Sequence, residues 1–220
     1  MSEPLLSLRD VAFAYGPQRP VLDGVTFDLA DGERLGLTGG NGSGKTTLLH
    51  LIVGLLRPTA GEIWAFGQTR RREADFLEVR RRAGLLFQDP EDQLFCPTVA
   101  EDVAFGPLNL GKSAAEAEAI ATETLERIGL PGYQDRITYK LSGGEKRLVS
   151  LAAVLAMEPD VLLFDEPTNG LDEEHVSRLL AILNDLPHAA LVVSHHRDFL
   201  DATTTRQVRL ADGRLQPRQP

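Results

Sequence analysis

The sequence predicts an α/β fold whose strand-and-helix core is interrupted by a helical insert, and three observations predict it. Short apolar strands crowd residues 5–38 and lead directly into a glycine-rich turn followed by a helix. Strand signals vanish over residues 89–157, where apolar residues recur at helical spacing. After Pro159 the strands return as continuous apolar runs.

In order along the chain, LLSLRDVAFAY, VTFDL and ERLGLT read as strands, separated by turn signals at Gly16-Pro17 and Asp31-Gly32. Residues 39–44 form the glycine-rich turn, and 46–55, TTLLHLIVGL, read as a helix closed by Pro58. Residues 61–66 and 83–87 are strand candidates. In the insert, Ala114, Ala117, Ala121, Leu125 and Ile128 mark one helix face that ends at Gly129. VLLFD, AALVVS and TRQVRL then complete the set of strands.

The 220 residues are enough for one large domain or two closely packed lobes. Hydrophobic content of 42% supports a substantial core, and no linker, low-complexity tract or repeat divides the chain. We expect one domain, with residues 1–88 and 159–220 as the core and 89–158 as the helical subdomain. The net charge of -9 counts against nucleic acid as a partner, since such proteins usually carry a basic footprint. Cys96 is the sole cysteine, which excludes an intrachain disulfide and fits a reducing compartment. No secretory leader is visible, and the longest mostly apolar run, 148–157, is far short of the ~18 residues a spanning helix needs.

Three motifs carry chemistry. Residues 39–46, GGNGSGKT, fit a phosphate loop that follows an apolar strand and opens a helix. Gly39, Asn41, Gly42, Ser43 and Gly44 let backbone N–H groups converge on phosphate oxygens at the positive end of a helix, and Thr47 follows in its first turn. Lys45 is expected to reach the β- and γ-phosphates, and Thr46 to ligate Mg²⁺. The bland alternative is a plain glycine turn. Residues 161–166, VLLFDE, deliver two carboxylates to the C-terminal edge of a buried strand. Asp165 is the expected Mg²⁺ partner, through water, and Glu166 the group that polarises the attacking water; an acidic turn is the alternative. Residues 141–145, LSGGE, place Ser142 as the N-cap of a helix over 145–157, with Gly143, Gly144 and Glu145 beside it. A simple cap explains these residues, but a bare, glycine-stripped helix start is also an anion site. Since the chain's own phosphate loop already takes the γ-phosphate, this second site is expected to serve another subunit's nucleotide.

On these motifs the chain resembles the ATP-binding-cassette (ABC) ATPases over nearly its whole length. The resemblance implies a P-loop NTPase core with an N-terminal antiparallel β subdomain and an inserted α-helical subdomain, with ATP and Mg²⁺ as ligands. Residues 39–46 look like Walker A, 161–166 like Walker B and 141–145 like the family signature. Gln88 looks like the glutamine that touches Mg²⁺ and the water and senses a membrane partner. Asp172 looks like the end of the D-loop, His195 like the switch histidine that holds the γ-phosphate, and Tyr15 like the aromatic that stacks on adenine. The adjacent His196 is expected to face solvent. The implied assembly is a head-to-tail dimer, each ATP lying between Lys45 of one copy and Ser142 of the other, docked on integral-membrane transporter subunits at the cytoplasmic face of the cell membrane.

A finer resemblance, in residues 88–107 and in LSGGEKR, is to the energy-coupling-factor ATPases of cobalt and nickel importers. Vitamin importers are the alternative, and a non-transport ABC ATPase acting on nucleic acid or ribosomes is the rival class. Leu94, Phe95, Pro97 and Val99 form an apolar cluster suited to receive a partner helix, or to pack inside the helical lobe. Three departures from the family pattern stand out: Leu148 and Ala153 where basic residues are common, and NGLD where SALD is usual. The chain also stops soon after the TRQVRL strand, so no appended regulatory domain is expected. Two arginine triplets, 70–72 and 80–82, read as a solvated face balanced by Glu73, Asp75 and Glu78 rather than as a lipid contact.

Overall fold

A computed structural model describes residues 3–17 and 20–217. In chain order its elements are β1 (Leu6–Phe13), β2 (Leu22–Leu29), β3 (Arg34–Thr38), α1 (Lys45–Ile52), β4 (Ala60–Ala65), β5 (Gln68–Arg70), α2 (Asp75–Arg82) and β6 (Ala83–Leu86). There follow α3 (Val99–Asn109), α4 (Ala114–Arg127), α5 (Gly143–Leu155), β7 (Val161–Asp165), α6 (Glu173–Asp185), β8 (Ala189–Val193), α7 (Arg197–Thr203), β9 (Arg206–Ala211) and β10 (Arg214–Pro217). The chain divides into two compact units, one of residues 1–85, 160–166 and 187–220, the other of 86–159 and 167–186. The second unit thus takes in the expected insert and adds 167–186, which includes α6.

The first unit holds two sheets. One is antiparallel, in the order β2-β1-β4-β5; the other runs β10-β9-β3-β8-β7-β6. In the second sheet β3 pairs parallel with β8 and β9, and β7 parallel with β8. β7 and β8 are buried at every position, as strands covered on both faces must be, and their unbroken apolar runs follow from that. Register decides where the site forms. Leu37 sits opposite Val193, and Val193 opposite Asp165, so β3, β8 and β7 end at one level. The loops that leave these three ends share one edge of the sheet, where α/β folds bind ligands. A single apolar core, from Leu6 through Leu51 and Leu163 to Leu210, backs both sheets.

α1 ends three residues before the helix read from sequence. Gly54, at φ +71°, turns the chain there, and the Phe76 ring occupies the space a Cβ would need, 2.2 Å from it. β10, which closes a hairpin against β9, carries too little apolar pattern to have been read.

The second unit is helical. α3, α4 and α5 each start with a complete capping box: Thr98 with Glu101, Ser113 with Glu116, and Ser142 with Glu145. On α4, Ala117, Ala121 and Leu125 are buried as the spacing predicts, Ile128 caps its end, and Ala114 faces solvent.

Candidate functional site

The loop after β3 is shaped by what its glycines exclude. A Cβ on Gly39 would stand 2.6 Å from both the Leu210 carbonyl and Ser43 Oγ, and one on Gly44, at φ +104°, 2.8 Å from Val21. Gly40 and Gly42 face open space instead. Gly44 caps α1 without a side chain, and α1 alone among the described α-helices has no acidic residue in its first turn. Its first N–H groups and its positive dipole end are therefore left for an outside anion. Lys45 is buried, and its Nζ donates to the carbonyls of Gly39 (3.0 Å) and Gly40 (3.2 Å), which folds it back over the loop. Asn41 is exposed on the loop crest. Tyr15 is 69% exposed, packs edge-on against Phe13, and shares a 3.0 Å hydrogen bond with Thr47 at the start of α1.

At the end of β7 the two carboxylates lie in the same neighbourhood. Asp165 is buried and accepts a hydrogen bond from the Thr46 hydroxyl, while its Oδ1 has no partner. Burial pushes its carboxyl above the ordinary value; Thr46 works against that shift and the adjacent Glu166 adds to it. Glu166 holds a left-handed backbone, φ +46°, an uncommon conformation for a non-glycine residue and one that clusters at working sites. Its amide continues the ladder to Val193 (2.9 Å). Its Oε2 accepts from the backbone N–H of His195 (3.1 Å) and lies 2.9 Å from His195 Nδ1, while Oε1 faces Lys45 Nζ at 3.8 Å. Glu166 thus holds one edge of the otherwise exposed His195 ring. Lys45, Thr46, Asp165, Glu166 and His195 are thus brought together within the first unit.

The residues fit a triphosphate and a divalent cation. Asp165 Oδ1 and Ser43 Oγ are buried polar atoms without partners, a costly state for a finished structure. A cation beside Asp165 removes the penalty on its charge, and Mg²⁺ characteristically takes one or two carboxylates and completes its shell with substrate phosphate and water.

The second unit carries Gln88, Ser142, Gly143, Gly144, Glu145 and Asp172. Ser142 caps α5, but this helix start is not bare as its glycines suggest. Glu145 reaches back to the Ser142 N–H (2.8 Å) and is also held by the Tyr133 hydroxyl (2.8 Å) and Arg136 (3.0 Å). Those bonds hold its carboxyl below the ordinary value, the Ser142 N–H contributing most. Gly143 and Gly144 retain the first-turn N–H groups, which have no partner inside a helix. The two glycines differ in purpose. Gly143 faces open space, whereas the His175 ring sits where a Gly144 Cβ would go, 2.2 Å from it. Asp172, the N-cap of α6, holds that ring at Nδ1 (2.7 Å) and accepts from the His175 N–H (2.9 Å). No sequence signal links His175 to a glycine 31 positions upstream; only the packing of α6 against α5 reveals it.

A substitution follows from this packing. Gly144→Ala is expected to expel the His175 ring and destabilise the protein by about 1–3 kcal/mol. Thermal melting checks it, and adding His175→Ala should recover most of the loss. A Gly144→Ala chain that melts at the parental temperature would show that the ring moves aside freely.

Gln88 is exposed, and the apolar cluster that follows it splits. Leu94 and Val99 are buried within the unit, while Phe95, 65% exposed, and Pro97 face outward. Asp102 holds the turn by accepting from the Phe95 and Cys96 N–H groups and from Thr138, and Phe95 packs edge-on against the exposed Phe105 at 4.8 Å. Burial pushes the Cys96 thiol up to about 11, so it is a packing residue rather than a nucleophile. His196 is exposed and caps α7 by accepting from the Phe199 N–H. In the arginine triplets, Arg70 pairs with Glu78, Arg71 with Glu62, Arg80 with Glu73, and Arg82 with Glu78 and Asp160.

A family profile described as ABC transporter matches residues 22–169. An ABC transporter ATP-binding protein of Brucella suis, whose name gives no substrate, is 56% identical over 98% of this chain and 89% of its own length. Among solved structures, cbiO1 of Clostridium perfringens, described as part of the ABC transporter complex cbiONQ, superposes with a TM-score of 0.88 at 31% identity, covering 98% of this chain and 88% of that one. The ATP-binding cassette MJ0796, solved as a dimer in a post-hydrolysis state with ADP and Pi, matches with a TM-score of 0.88 at 27% identity over 97% of each chain. The matched residues 22–169 take in all three motifs, and the chain belongs to the ABC transporter family and is an ATPase domain of that family.

Proposed function

We propose that this chain is the ATP-hydrolysing motor subunit of an importer of the energy-coupling-factor type, with cobalt or nickel as cargo. The observation that carries the hydrolytic reading is Glu166, buried in a left-handed turn with one carboxylate oxygen fixed by His195 and the other facing Lys45. In this reading Glu166 takes a proton from the attacking water. The water oxygen bonds to the γ-phosphorus as the bridging oxygen leaves with ADP. Lys45 and the N–H groups of 39–46 grip the β- and γ-phosphates, Tyr15 stacks on adenine, and His195 holds the γ-phosphate through the ring nitrogen that Glu166 leaves unbound. Thr46, Asp165 and Gln88 would hold Mg²⁺, which when bound neutralises charge on the phosphate oxygens.

The second unit serves a neighbour. Ser142, Gly143 and Gly144 present donors to the ATP of a second copy in a head-to-tail dimer; Glu145 shapes that turn and Asp172 lies at the seam. Residues 89–158 act as the helical signature subdomain. ATP closes the dimer, and the stroke passes through Gln88 and the outward Phe95 and Pro97 to integral-membrane subunits at the cytoplasmic face of the membrane. Among the described residues no helix is long and apolar enough to cross a membrane, so attachment rests on such partners. The dimeric cassette with ADP and Pi supports the pairing, and the cbiONQ relative, part of an ABC transporter complex, supports the partners; the cargo rests on the resemblance in residues 88–107 and LSGGEKR.

Purification of the tagged chain in mild detergent tests the assembly: a multi-span hydrophobic protein is expected to accompany it, whereas ribosomes or nucleic acid would overturn the reading. For the cargo, deleting the gene should lower cellular uptake of labelled cobalt or nickel. Parental uptake of both metals would remove the metal assignment and leave the motor role standing.

A further inference from the structure

Arg147, the last residue of LSGGEKR, is a cation 1% exposed in the interior of the helical unit, two residues beyond the signature turn, and has no role in the site described so far. Its two terminal nitrogens each donate a 2.5 Å hydrogen bond to a backbone carbonyl, one to Phe87 and one to Gln88. Two neighbouring contacts fasten the same segment to the same helix. The Gln93 side chain accepts from the Phe87 N–H (3.3 Å) and donates to the Ser150 carbonyl on α5 (3.2 Å), and Lys146 of α5 pairs with Glu91. The backbone of 87–93 is therefore pinned to α5 while the Gln88 side chain stays exposed.

We infer that Arg147 is a positioning residue for Gln88, fixing its backbone to the signature helix so that the glutamine and the Ser142 turn move as one piece. A guanidinium is suited to this, because its planar fork offers a separate, preorganised donor to each of two successive carbonyls, where a lysine would have to reach both from one nitrogen on a flexible stem. A displacement of the Ser142 turn by a neighbour's nucleotide is then transmitted to Gln88 through two short hydrogen bonds rather than through loose packing. This inference rests on the reading of Gln88 as a residue of the hydrolytic site.

The test is a double-mutant cycle in the full chain between Arg147→Lys and Gln88→Ala, following kcat, KM for ATP, melting temperature and amide exchange of residues 87–93. Arg147→Lys is expected to lower kcat by about 10- to 100-fold, as loss of positioning does. KM for ATP should stay within about twofold, since the phosphate loop is untouched. Exchange at 87–93 should rise, and the double variant should be no slower than Gln88→Ala alone. If Arg147→Lys does not fold, Gln93→Ala, which removes the neighbouring fastening, takes its place in the cycle with a smaller expected loss. Losses that multiply in the double variant, or an unchanged kcat with faster exchange, would overturn the inference alone. Normal turnover of Gln88→Ala would instead remove the role given to Gln88, and the inference with it.

Discussion

Glu166→Gln is expected to bind ATP, accumulate as an ATP-bound dimer, and lose turnover by about 10²–10⁴, the usual worth of a positioned general base. The substitution is nearly isosteric. The amide oxygen can still accept from the His195 N–H, now at 3.1 Å from Oε2, so the left-handed turn and the ladder bond to Val193 should survive. What disappears is the negative charge that faces Lys45 and takes the proton. Grip on the phosphates, which the proposed function assigns to the α1 terminus and Lys45, should persist. Stalling between binding and release should convert a transient dimer into a stable one. Size-exclusion chromatography with and without ATP, together with a phosphate-release assay, reads both effects. Turnover near the parental rate would show that Glu166 is not the base, and a monomer at saturating ATP would end the case for a shared site.

Lys45→Ala is expected to fail one step earlier. A hydrogen bond from a charged donor is worth about 1.5–3 kcal/mol, so ATP affinity should fall by about 10- to 100-fold, read by fluorescent-nucleotide titration. The loss falls on binding because Lys45 is the buried cation of the loop, folded over the Gly39 and Gly40 carbonyls where phosphates would lie. Removing it also leaves the buried Glu166 carboxylate without its cationic neighbour, which adds a cost in stability. The two variants should therefore separate cleanly: one holds ATP without turning it over, the other does not hold it. Parental affinity in Lys45→Ala would show that backbone donors alone carry the triphosphate.

Much of this was legible before any coordinates. The phosphate loop, the apolar strand ending in two carboxylates and the Ser142 cap are local patterns. The forces that make them are local as well: glycine's tolerance of φ > 0, burial of unbroken apolar runs, and reciprocal capping. Reading was poorer where a remote residue intervenes. α1 stops early because Phe76 fills the space beside Gly54, 22 positions away. Leu94 and Val99 look like Phe95 and Pro97 in sequence, yet the first pair is buried and the second exposed. The α5 start reads as bare from its glycines, but Glu145, held by Tyr133 and Arg136, reaches back to take the Ser142 N–H and leaves only the glycine N–H groups open.

By itself, the order of residues determined the family, the glycine-rich loop before α1 and the identity of the acidic pair, because each is written in side-chain type at fixed short spacing. Tertiary structure alone decided that Glu166 is oriented by His195, that Gly144 is a glycine for the sake of His175, and that a buried Arg147 ties Gln88 to the signature helix. The reason is one of range. Turn and cap preferences act over a few residues, whereas hydrogen bonds and close packing between α5, α6 and the segment after β6, or between the ends of β7 and β8, arise only when sheet register and helix packing bring distant positions together.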